Sequence, residues 1–241
     1  MNVLFDFIVT ESSKYAKRDR NRLFDSLREA LRYYDFLLIA AGMYRKNSRK
    51  SVSTVRKRSK FIPAQTGAVT PMTEEEIGLM EEENRLNTLA QFAIERFYLF
   101  AKIFLDRIAL FIEDYFGPAR GISLRSHDKW VKNHEQYSSV KNLTYPEGFS
   151  QTIDWLKKHI SDYRDKQVSH VQRQRIAATT WSTAKPMIRN VAYYIKNAGL
   201  SYSEELPELT QAIETYTQQL RALIESNRAR TGLELGQYSS T

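Results

Sequence analysis

The stretch 92-FAIERFYLFAKIFLDRIALFIEDYF-116 decides the fold class. Its apolar residues fall on most sides of a helix, among them Phe92, Phe100, Ile103, Leu110 and Tyr115, with Leu89 just upstream. A segment apolar all round is a central core helix, covered by neighbours on several sides. It is not a simple membrane span, because Glu95, Arg96, Lys102, Asp106, Arg107, Glu113 and Asp114 interrupt it. Gly117-Pro118 ends it. Upstream, Thr73 followed by Glu74, Glu75 and Glu76 forms a helix start, with Glu76 at the capping-box position and a possible break near Gly78.

Working outward, a second helical pattern runs from about Ser12 to Tyr44. Leu23, Leu27, Leu31, Tyr34 and Leu38 recur on one face, and Arg18, Arg22, Arg28, Glu29 and Arg32 lie opposite. So broad a stripe predicts that residues 1–44 pack on the rest. Between 45 and 73 the apolar period vanishes while Ser, Thr, Pro and Gly accumulate, which predicts a long basic loop and the boundary of any N-terminal unit. Downstream, Ser126 starts a short helix. Phe149, Ile153, Leu156, Ile160 and Tyr163 mark an amphipathic helix, and two more follow at about Lys185–Asn197 and Ser203–Ala229. A helical bundle over 74–231 and a disordered tail over 232–241 complete the expected layout. Strand and hairpin signals are weak throughout. The expected fold is all-α, an antiparallel helical bundle with a basic loop between its first two long helices.

Composition agrees with a folded helical chain: 42% of the 241 residues are hydrophobic, with only 9 Gly and 6 Pro. The absence of cysteine excludes disulfides, thiolate metal sites and a cysteine nucleophile. No basic region precedes the apolar Met1–Val9, so no signal peptide is read there, and a soluble, cytoplasmic protein is expected.

The net charge of +8 is local. Arg45, Lys46, Arg49, Lys50, Arg56, Lys57, Arg58 and Lys60 fall together without an acid between them, and these eight equal the whole excess. Such a segment suits a polyanion, because binding releases the counterions condensed on it. A solvated loop or a membrane-surface contact are the other readings. Interleaved aromatics are nearly absent, so no base-stacking platform is indicated.

The concrete chemistry lies in Arg164-Asp165-Lys166-Gln167-Val168-Ser169-His170. It joins a permanent cation to a group that titrates near neutral pH, enough to hold a phosphate and move a proton beside it. On a regular helix six residues turn about 600° and rise about 9 Å, leaving Arg164 and His170 about 120° apart. A shared site therefore needs a bend in the backbone or two copies meeting across a twofold axis. Bland readings stand beside this one. Arg164 could pair with Asp162 or Glu147, His170 could be a core histidine, and Asp162 with Lys166 could be a solvated ion pair.

The Arg-Asp…His segment resembles the R-x(4–6)-H signature of the HEPN families of helical proteins, over roughly residues 85–228. The resemblance implies a homodimer and a metal-independent endoribonuclease with its site between two chains. Arg164 would hold the phosphate, His170 would move the proton and Asp165 would orient one of them. The 2′-hydroxyl of the RNA would be the nucleophile, so neither metal nor cofactor is expected and DNA should not be cut. It further implies a defence or toxin–antitoxin setting and an antitoxin partner. Some toxin members carry a Tyr two residues after the histidine; Gln172 stands there, which does not support regulation through that tyrosine. The rival reading is a non-catalytic module that binds nucleic acid or protein, and a third is a subunit whose basic loop docks on an acidic protein.

Other constellations are weaker. His127 and His134 lack the i,i+4 spacing of a helical zinc pair. There is no P-loop and no G-x-S-x-G elbow. The acidic Glu74–Glu76 and Glu81–Glu83 read as a solvated helix start. Tyr33, Tyr34, Tyr44, Tyr193 and Tyr194 read as bundle packing, and Trp130, Trp155 and Trp181 as core or interface anchors.

Overall fold

A computed structural model describes residues 2–61, 72–161 and 200–236. Its helices are α1 (Asn2–Ser12), α2 (Lys17–Arg58), α3 (Glu74–Phe116), α4 (His127–Lys141), α5 (Phe149–Leu156) and α6 (Leu200–Ser226). Short 3₁₀ turns span Ser59–Phe61 and Arg228–Arg230, and α5 continues as a π-helical turn over Lys157–Ser161. Among the described residues there is no strand, only isolated bridges at Tyr15–Leu235 and Ala119–Ile122. The all-α class holds.

Two helices of 42 and 43 residues, α2 and α3, form the frame. They run antiparallel. Ser26 donates to Asp114 at 2.5 Å near one end, and Ser51 donates to Asn87 at 2.6 Å toward the other. Leu23, Leu27, Ala30, Tyr34, Leu37, Ala41 and Tyr44 line the buried side of α2 at alternating steps of four and three, the 3.5-residue repeat of a coiled-coil seam. Leu31 is only half-buried and Leu38 is exposed, where the sequence placed both on the buried face. Ala30 and Leu37, each one residue earlier, are buried in their stead.

The larger correction concerns 45–60. Residues 45–58 are not a loop but the last third of α2. The seam continues through Asn47, Ser51, Thr54 and Arg58, all buried, so the repeat persists after its apolar content has gone. Arg and Lys are good helix formers, and neither Gly nor Pro occurs between Gly42 and Pro63 to stop the helix.

Around α3 the expected core helix is realised. Phe97, Tyr98, Ala101, Phe104, Leu105, Ile108, Phe111, Ile112 and Tyr115 are buried, with α2 packed against them and α4 and the π turn also against α3. Of the residues named from the sequence Tyr115 is buried, while Leu89, Phe100, Ile103 and Leu110 are half-buried. Phe92 stands exposed with the Arg96 guanidinium 4.6 Å from its ring centre. The Thr73 capping box forms as read, and the helix passes through Gly78 unbroken. Ser126 caps α4 by accepting from the Lys129 N–H. Phe149, Ile153, Leu156 and Ile160 are all buried, as their spacing predicts.

The start of the expected C-terminal tail is also ordered. Residues 232–236 lie as a strap between the start of α2 and the end of α3. Gly232 N–H donates to Tyr115 O, Glu234 N–H to Asp19 Oδ2 and Gly236 N–H to Lys14 O, while Glu234 O accepts from Ala16 N–H. Buried Glu11 joins the same region, accepting from Lys14 at 2.8 Å and Tyr15 at 3.1 Å and facing Arg228 at 3.1 Å.

Candidate nucleic-acid interface

The helical state of 45–58 turns a list of basic residues into a surface. At about 100° per residue, Arg45, Arg56 and Arg49 fall within about 40° of one another, and Lys46, Lys57 and Lys50 form a parallel row about 100° further round. Ser53 lies between the rows. All six cations are exposed. The buried seam of Asn47, Ser51, Thr54 and Arg58 is centred about 140° away, so the arginine row points away from α3. The lysine row flanks the seam, and the Lys50 charge adds to the hydrogen bond and charge of Arg85 in lowering the Glu82 carboxyl. From Arg45 to Lys57 it extends about 18 Å.

Two of the eight basic residues stand apart. Lys60 is exposed but lies in the 3₁₀ turn beyond the helix. Arg58 is buried and pairs with Glu83 of α3 at 3.0 Å. Burial pushes the Glu83 carboxyl above its ordinary range, and the Arg58 charge only partly offsets this. Sequence reasoning grouped Arg58 with the surface cations because no seam was visible there.

The opposite helix carries the opposite charge. Glu74, Glu75 and Glu81 are exposed on the first third of α3, and Glu82 is held by Arg85 through two contacts of 2.7 Å. This end of the hairpin is basic along α2 and acidic along α3.

The stripe has no stacking side chain between its cations. Tyr44 is buried, and residues 45–60 contain no aromatic. Tyr34 is buried too and donates to Glu214 at 2.9 Å, while Tyr33 packs on Phe36 and Phe100. Tyr193 and Tyr194 lie outside the described residues, as do Trp181 and the expected helix at 185–197.

Arg164, Asp165 and His170 also lie outside the described residues. The chain leading to them is described as far as Ser161. There α5 leaves regular α geometry for the π turn Lys157–Ser161, which packs against α3 and α4. The straight helix assumed in the spacing argument is therefore already departed from before Arg164.

Near that turn sits a buried polar cluster which the sequence did not single out. Lys102, the one buried lysine among the described residues, reaches Asp128 at 2.6 Å and Asp106 at 3.2 Å. Asp106 also accepts the backbone N–H of His127 at 2.7 Å. The only early signal was a lysine inside the apolar run with an acid four residues on. Burial pushes the Asp128 carboxyl up, but the hydrogen bond and charge of Lys102, helped by Lys157, bring it below its ordinary value.

His127 itself is fully buried, with Tyr216 edge-on at 6.3 Å and no hydrogen-bond partner on either ring nitrogen. Burial, with the Lys102 charge next, holds it down to about 3, so the ring is neutral near neutral pH. His134 is seated separately, its Nδ1 2.7 Å from Val131 O and its ring stacked on Tyr145. Among the described residues no three His, Asp or Glu side chains converge as a metal site would need. No described helix is long and apolar enough to cross a membrane. Trp130 is buried among Tyr137, Tyr145 and Phe149, and Trp155 stacks on His159 with ring centres 4.0 Å apart.

No protein-family description, no curated protein and no solved structure matches this chain.

Proposed function

We propose that this is a HEPN-like helical protein that binds RNA along the exposed basic face of α2 and cuts it without a metal. The observation that carries the binding is the arrangement of Arg45, Lys46, Arg49, Lys50, Arg56 and Lys57 as two exposed rows on one helix face. A face of six cations with no acid among them supports phosphate contacts, whose strength comes from released counterions. The cutting rests on Arg164, Asp165 and His170. Arg164 holds the phosphate and the charge that builds on it, His170 moves the proton and Asp165 orients one of the two. The 2′-hydroxyl attacks the adjacent phosphorus, the bond to the 5′-oxygen breaks, and a 2′,3′-cyclic phosphate remains. Two copies of the chain would complete the site, and a defence or toxin–antitoxin role with an antitoxin partner fits such chemistry.

The binding is tested by titrating a labelled structured RNA at several salt concentrations. The expected result is tight binding at low salt that weakens steeply as salt rises. Binding that ignores salt, or no binding at 50 mM salt, contradicts the interface. A protein that binds in this way but never cuts is the non-catalytic module instead.

A further inference from the structure

Resting on the reading of α2 as the RNA-binding face, we propose that its ligand is the paired phosphate rows of a double-stranded nucleic acid rather than a single strand. Three features of the outer hairpin point there.

The first is rigidity. Arg45, Arg49 and Arg56 share one helix and one edge, as do Lys46, Lys50 and Lys57, so the cations are fixed relative to one another by the backbone. The helix is anchored to α3 at this end by the Ser51–Asn87 hydrogen bond and the buried Arg58–Glu83 pair. A duplex presents its phosphates as an equally rigid array, whereas a single strand must be ordered to match one.

The second is the lack of stacking groups. Single-strand sites gain about 1–3 kcal/mol per base from aromatic platforms. Residues 45–60 contain no aromatic and Tyr44 is buried, so an unpaired base lying between these cations finds no ring to stack on, the half-buried Phe61 standing beyond the stripe.

The third is the charge of the other helix. Glu74, Glu75 and Glu81 are exposed on α3 beyond Glu83, which pairs with Arg58, so they lie past the Lys57 end of the stripe. A flexible strand that bends round this end of the hairpin meets these carboxylates, while a stiff duplex can lie along the α2 face without following the chain there. The contact is with phosphates and not base edges, so it carries no sequence preference.

The test measures the affinity of the full-length protein for three 20-unit probes across salt concentrations. The probes are a 2′-O-methyl RNA duplex, one of its strands with an unstructured sequence, and a DNA duplex. None can be cut by 2′-hydroxyl attack. The 2′-O-methyl duplex is expected to bind at least tenfold tighter than the single strand. Its log affinity should fall with log salt at a slope of about −5, six contacts at about 0.9 each.

The triple variant Arg45→Ala, Arg49→Ala and Arg56→Ala should reduce that slope by about 3. Its three sites are exposed helix positions where alanine is well tolerated, so the fold is retained. Equal binding of the DNA duplex supports a contact with phosphates of either sugar, and binding of the 2′-O-methyl duplex alone supports the A-form. A single strand that binds as tightly as the duplex, with the slope still reduced in the variant, overturns the duplex inference and leaves the α2 interface standing. A slope unchanged by the variant, or no binding of any probe at 50 mM salt, overturns the interface as well.

Discussion

His127 shows how one residue couples burial to pH. Its ring is enclosed, both nitrogens lack partners, and its proton affinity is held down to about 3 from an ordinary 6.5, first by burial and then by Lys102. The folded state therefore binds fewer protons than the unfolded state between those two values. The stability tied to neutral His127 is fully present above pH 6.5 and is lost as pH falls toward 3, at a limiting rate of about 1.4 kcal/mol per pH unit. Denaturant midpoints should fall through that window in the parent. In His127→Phe they should fall less steeply, because a ring without nitrogens has no proton to gain. A Phe variant with the parent's slope would assign the acid sensitivity to other groups.

At the scale of the element, α2 is one helix with two seams. From Leu23 to Tyr44 it buries apolar side chains and tyrosines; from Asn47 to Arg58 it buries polar ones. The second part gains less from burial, and its cross-helix bonds to α3 include one hydrogen bond and one ion pair. Amide hydrogen exchange in residues 47–58 should be at least tenfold faster than in residues 23–37 of the same helix. Equal protection along α2 would contradict the division.

This division also explains what the sequence could and could not disclose. Large residues at helical spacing made the first part of α2, the core of α3 and the start of α5 legible. The caps at Thr73 and Ser126 were legible because their chemistry is local. The polar seam was not, since Asn, Ser and Thr at positions 47, 51 and 54 look like loop residues unless the facing helix is known. The two-row arrangement of the cations depends on that helix and stayed hidden with it. Likewise the joining of Lys102 with Asp128 depends on how α4 docks, which no spacing reveals.

Across the whole molecule, the strap at 232–236 ties the start of α2 to the end of α3 by backbone contact. Gly232 lies against Gly117, where the chain leaves α3 with φ 79°. A Cβ added at Gly232 would come within 2.9 Å of the Gly117 backbone, so something in the main chain must shift. Gly232→Ala is expected to cost about 1–3 kcal/mol, read as a fall of several degrees in Tm. An unchanged Tm would show that the strap does not hold the ends of α2 and α3 together. The resulting bundle supports a hairpin of roughly 63 Å whose far end carries the basic face.

The most direct measurement incubates the purified protein with a structured RNA in EDTA, beside a His170→Ala variant purified identically. The proposed function predicts cleavage by the parent alone, products ending in 2′,3′-cyclic phosphate, and RNA affinity unchanged in the variant. Equal cleavage by both proteins, or none by either while both bind RNA tightly, would contradict it.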